Sequence, residues 1–137
     1  MIISKRHSIG MLIIRIGIGL GFLFFHGWGK LVGGPERWAS LGEAMNHIGI
    51  TFGYTFWGFM AALTESLGGL LFALGLFHKP LSLLLAFTMF IASLQHLIPG
   101  KGSAASALKF LFFFSGIYFL DPGKYSIDYL LRKKKDK

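Results

Sequence analysis

The sequence has no cysteine. Disulfides, thiol relays, iron-sulfur clusters and cysteine-based zinc sites are therefore excluded, and any redox role must rest on a bound cofactor. Acidic residues are almost as scarce, with six Asp and Glu against 14 Lys and Arg and a formal net charge of +8. Proline is rare as well: Pro35, Pro80, Pro99 and Pro122 all fall in breaks between apolar runs, where the missing N–H does no harm. Two nucleotide signatures are absent. Gly17, Gly19 and Gly21 are followed by Phe22 rather than glycine and preceded by no strand, and Gly29-Lys30 has Phe24 and Leu31 where a phosphate loop needs glycine and a hydroxyl.

What fills the chain instead is apolar. Of 137 residues, 53% are hydrophobic, 15 are Phe and 19 are Gly, and the mean hydropathy is +0.60. That composition points to a membrane protein. Four apolar runs are expected to span the bilayer, 9–31, 52–77, 81–98 and 104–120, giving an all-α four-transmembrane-helix bundle that occupies the chain as a single membrane domain. Lys5 and Arg6 precede the first run as in a signal peptide, but Arg15 interrupts it and no small-x-small cleavage site follows. We read it as an uncleaved first helix. The longest connection, Val32 to Thr51, is broken by Gly33-Gly34-Pro35 and then places Trp38, Leu41 and Met45 at helical spacing, which predicts a short amphipathic interfacial helix. Pro80 is suited to opening the third span and Ser103 to capping the fourth. A basic tail, 121–137, closes the sequence.

Nine Lys and Arg lie on the side of the termini and the Lys79 loop, against Lys30, Arg37 and Lys101 on the other. The positive-inside rule then puts both termini in the cytoplasm and the long loop outside. Charge distributed this way is expected to meet the lipid bilayer rather than nucleic acid.

The spans carry ionisable groups that lipid does not tolerate unpaired, so each is a candidate for a polar interior. Arg15 and His26 are eleven residues apart, about three turns, and share a stripe with Gly19, Phe22 and Lys30. His26, His96 and Lys109 fall within roughly 10 Å of the outer boundary. Glu65 is the single carboxylate inside a span, the natural counter-ion for Arg15 or Lys109 and the natural proton-exchanging group. Met89 lies on the stripe of His96, and Phe72 on that of Glu65. Snorkelling of Arg15, Lys30 and Lys109 to headgroups, and ordinary packing of both histidines, are the bland alternatives. Gly17-x-x-x-Gly21 offers a close-packing face to another helix, of this chain or of a second copy in a homodimer.

Arg15 with the glycine-rich turns after it, Phe25-His26-Gly27-Trp28-Gly29-Lys30-Leu31, then Glu65-x-x-Gly68-Gly69-x-Leu71-x-x-x-Gly75-Leu76 and Met89-x-x-Ala92-x-x-x-His96 resemble the DoxX family of small four-helix membrane proteins. The resemblance runs from about Ile9 to Leu120, with the long outer loop and the basic tail outside it. It implies the cytoplasmic membrane of a bacterium or archaeon. It also implies association with quinone-linked oxidoreductases, since the name-giving relatives resemble the membrane subunit of archaeal thiosulfate:quinone oxidoreductases. More distant relatives include a methylamine-utilisation protein and a secretory cargo receptor, so the fold is implied more firmly than the reaction.

Three functions follow as expectations. The first is a redox-associated subunit that binds a quinone between helices: His26, His96 and Lys109 donate to the headgroup, Arg15 and Lys30 are further ligand-binding candidates on the same polar wall, Glu65 exchanges protons, Phe22, Phe72 and Met89 line the tail slot, and a redox partner subunit supplies electrons. Haem held by His26 and His96 is disfavoured, two histidines at similar depth being a weak signal. The second is a non-enzymatic scaffold or cargo-binding subunit whose buried charges fix helix register. The third, a proton-coupled small-solute carrier, suits four spans without repeats least.

Overall fold

A computed structural model describes residues 3–136. Among the described residues every regular element is helical. Helix α1 is Lys5–Leu31, α2 is Gly34–Gly42 continuing as a 3-10 turn over Glu43–Ile48, and α3 is Tyr54–Leu74. Helix α4 is His78–His96, α5 is Ala105–Tyr118 and α6 is Ile127–Lys135. The four predicted runs thus appear as four helices in the predicted order. By length and composition, α1 and α3 are able to cross a membrane on their own. Helix α4 is polar at both ends, through His78, Lys79, Gln95 and His96, and α5 has 14 residues.

The starts and stops have local causes. Ser4 caps α1 by accepting from the His7 N–H at 3.1 Å. The N-cap of α5 is Ala104 rather than the expected Ser103, which stands one residue earlier and accepts from Ala105 N–H at 3.2 Å. Between α3 and α4 the chain reverses through Gly75 at φ 70° and Phe77 at φ 54°. A left-handed phenylalanine costs about 1–2 kcal/mol. It is offset from outside the hairpin, because the Asp128 carboxylate accepts from Phe77 N–H at 3.0 Å and from His78 N–H at 2.8 Å. The tail helix α6 therefore caps α4.

The core joins Met11 and Phe22 of α1, Phe72 of α3, Leu85 and Met89 of α4, and Phe114 of α5. Phe22 lies edge-on to Phe114 at 5.2 Å, and Phe72 edge-on to the same ring at 5.5 Å. Outside the core the helices present large apolar side chains, Phe25 at 86% and Phe119 at 81% exposure among them. Such a surface suits lipid rather than water.

Both long helices contain a π-helical turn, Phe22–Gly27 in α1 and Thr64–Gly68 in α3, and the two face each other. Each inserts a residue into the helical repeat. In α1 the buried stripe runs Met11, Arg15, Gly19, Phe22 and then steps five residues to Gly27. Gly27 meets the backbone of Glu65 and Ser66 so closely that no Cβ fits, and Gly19 meets Gly69 in the same way. Gly17 and Gly21 have open space around them, so the expected Gly17-x-x-x-Gly21 face packs no helix of this chain. Gly27→Ala is expected to push α1 from α3 and lower stability by about 1–3 kcal/mol. Gly17→Ala is expected to be neutral or stabilising. Thermal denaturation in detergent, followed by loss of the monodisperse peak, separates the two.

Candidate functional site

The loop helix does more than lie at an interface. Its 3-10 extension packs Ala44 and Met45 on Ile91 of α4, with Trp57 of α3 against them. Trp38 donates through Nε1 to the Lys30 carbonyl at 3.0 Å, and its ring meets Phe59 edge-on at 4.8 Å. Gly58 and Gly42 let the backbones of α2 and α3 touch. His47 and Gln95 share a hydrogen bond of 2.8 Å to α4. The predicted amphipathic helix is thus a packed layer across α3 and α4, because Trp38 and Met45 find apolar partners in the protein itself, while Leu41 faces a cavity.

Beneath that layer lies a cavity of about 450 Å³ between α2, α3 and α4. Its walls are largely apolar, with Phe56, Trp57, Met60, Leu84, Phe87 and Ile91 prominent. Its polar end holds an ion pair: Lys30 Nζ donates to Glu65 Oε2 at 2.7 Å, with the carboxylate side chain 2% exposed and the lysine 25%. The extra residue of the α1 π-turn rotates Lys30 towards α3, and the π-turn of α3 begins one residue before Glu65. His96 is on the rim, its Nδ1 hydrogen-bonded to the Lys101 carbonyl, and Arg37, Gln95 and Lys101 with the hydroxyls of Ser40, Thr64 and Thr88 add to the polar lining. One carboxylate faces three basic side chains, Lys30, Arg37 and Lys101, so the cavity favours electron-rich oxygen atoms in its occupant.

Of the residues singled out from the sequence, the structure brings Glu65, Lys30 and His96 to this cavity. The expectation of one shared polar interior is corrected for the others. Arg15 is fully buried towards the opposite end, donating through Nη1 to the Ala73 carbonyl at 3.1 Å and through Nη2 to the Tyr125 carbonyl at 3.0 Å. It does not meet Glu65. The counter-ion of Glu65 is Lys30, because antiparallel packing sets Glu65 at the level of Gly27, one turn from Lys30, and Arg15 at the level of Ala73. His26 stacks on Phe22 at 4.8 Å and lies edge-on to Phe110 at 5.7 Å, as a packing residue does. Lys109 is exposed beside Phe113, on a separate hollow. Phe22, Phe72 and Met89 are core residues, 1%, 0% and 4% exposed, and are not among the residues that line this cavity.

Arg37, Trp57 and Gln95 line the cavity without having been expected at a site. For Arg37 a signal existed: residues 37, 40, 41 and 44 all line the cavity, at the i, i+3, i+4, i+7 spacing of one helix face.

Helical rods faced with apolar side chains and enclosing an ion pair define a helical membrane protein. The chain belongs to the DoxX family, whose model matches residues 10–96. The match ends at His96, short of the expected Leu120, and it runs through the long loop rather than leaving it out. No curated protein and no solved structure gives a match.

Proposed function

We propose that this chain is a four-span subunit of the cytoplasmic membrane, termini inside, that holds the head of a quinone in the α2–α3–α4 cavity and serves a quinone-linked oxidoreductase. The observation that carries this reading is the buried Lys30–Glu65 pair at the polar end of an apolar cavity with His96 on its rim. Quinone carbonyls accept hydrogen bonds, which the Lys30 ammonium is built to donate, while His96, whose Nδ1–H is given to the Lys101 carbonyl, turns an accepting Nε2 to a quinol hydroxyl. Reduction to the quinol takes up two electrons and two protons. Glu65 is the proton-carrying group beside the cavity, and the electrons are assigned to a partner subunit. Phe56, Met60 and Phe87 offer the apolar surface that the ring and the first part of a tail need.

Gentle extraction followed by solvent analysis is expected to recover about one quinone per chain, and Glu65→Gln to weaken retention by about tenfold or more, the equivalent of about 1.4 kcal/mol. Quinone no higher than in an unrelated membrane protein purified alongside would overturn the reading. A second reading, the scaffold, has Arg15 in its favour, since among the described residues that buried charge bonds to backbone carbonyls of its own chain. It predicts normal assembly with no retained quinone in the same samples.

A further inference from the structure

At the end of the molecule opposite the cavity, a groove of about 540 Å³ runs between the α3–α4 hairpin, the turn after α5, and α6. Its apolar wall is Phe77, Pro80, Phe119 and Leu131. Phe119, Phe77 and Leu131 are among the exposed large apolar side chains of the protein. Lys79, Arg132 and Lys135 line the groove as well. Two carboxylates are present, and the fold has engaged both. Asp128 caps α4 through both oxygens, and Asp121 accepts from Gly123 N–H at 3.0 Å while lying 3.6 Å from Arg132. Lys79 and Lys135 make no ion pair among the described residues. The groove thus combines an apolar wall with two unengaged ammonium groups and a guanidinium whose one carboxylate contact is long.

We propose that this groove binds the phosphate head of an anionic phospholipid, with an acyl chain lying on Phe119. Charge complementarity selects the lipid class. A zwitterionic head brings its own cation to a rim that already holds three, whereas a phosphatidylglycerol phosphate brings only negative charge. The apolar surface continues away from the groove, because exposed Phe112 lies seven residues before Phe119 on the same face of the α5 helical path. An acyl chain is therefore met over about two turns. A free phosphate would use the rim and leave the phenylalanines uncovered.

The test uses the full chain, delipidated in detergent and titrated with phosphatidylglycerol, phosphatidylcholine or inorganic phosphate under native mass spectrometry. A single tightly held phosphatidylglycerol is expected, bound at least about tenfold better than phosphatidylcholine, with inorganic phosphate unable to displace it. Each basic residue near a lipid surface contributes a factor of about five, so Lys79→Ala with Lys135→Ala is expected to weaken binding by about 30-fold. Lys133→Ala with Lys134→Ala removes the same charge from α6 outside the groove, and a change below about threefold is expected, since neither lysine lines it. All four lysines are exposed, and unchanged melting temperatures check that the fold is kept. Equal affinity for the two lipids overturns the proposal, as does an equal loss in the two double variants. Displacement by inorganic phosphate overturns it in favour of a small-anion site.

Discussion

Arg15→Leu is expected to lower stability by about 3–6 kcal/mol and to release α6 from the body of the protein. The guanidinium is wholly buried, and both of its hydrogen bonds go to carbonyls. A hydrogen bond from a charged donor contributes about 1.5–3 kcal/mol, and two are lost together. One accepting carbonyl, Ala73, lies in the last turn of α3, where carbonyls have no helical N–H to accept from and the helix dipole favours a cation. The other, Tyr125, precedes the Ser126 cap of α6. Gly75 is part of the same device: its φ of 70° turns the chain, and its lack of a side chain leaves room for the Arg15 head, which any Cβ would strike. Lysine is no substitute, since a single ammonium lacks the planar fork that reaches two carbonyls on different elements. Hydrogen exchange across 124–135, together with thermal denaturation, checks the result. Protection there equal to the parent's would show that the tail docks without Arg15.

The Lys30–Glu65 pair carries the second large effect. Lys30→Met is expected to destabilise the protein by about 3–5 kcal/mol, because it leaves an almost fully buried carboxylate without its partner. Lys30→Met combined with Glu65→Leu is expected to recover most of that loss, since an apolar pair of similar volume removes the desolvation penalty along with the attraction. Stability and ligand retention then part company. The double variant folds as the parent does, yet holds no quinone. Were it to stay as unstable as the single variant, the loss at Lys30 would lie in packing around Gly27 and not in the unpaired charge. A double variant that folds and still retains quinone would remove the pair from the binding site.

Most of the helical plan was readable from residue order. Apolar runs with glycine and proline breaks mark where the helices begin and end, and the structure moves those limits by a few residues, while the serines that cap, Ser4 and Ser126, lie outside the apolar runs. The candidate site was readable in half. Glu65, Lys30 and His96 stand out because each is a polar group in apolar surroundings, and all three reach the cavity. The pairing was not readable, for a geometric reason. A regular helix puts Arg15, His26 and Lys30 close to one line, but the π-turn at Phe22–Gly27 advances the register, leaving His26 among aromatic rings and bringing Lys30 onto Glu65. Nothing in Phe-Leu-Phe-Phe-His-Gly announces a π-turn. Arg15 was opaque for another reason. Its partners are backbone carbonyls of Ala73 and Tyr125, and a carbonyl leaves no mark in a sequence.

The bond from Arg15 to the Tyr125 carbonyl joins residues 110 apart in the chain. Synthesis at about 5–20 residues per second puts roughly 5–20 s between the two. Through that interval the first helix is already made, while one carbonyl for its arginine does not yet exist. The Ser8 hydroxyl, which accepts from Lys124 N–H, and His7, which is bonded to the Asp121 carbonyl, wait for the same segment. Biogenesis therefore has a late latch: α1 is born first and fastened last, and a nascent chain stalled before residue 121 holds its Arg15 half-satisfied beside the membrane.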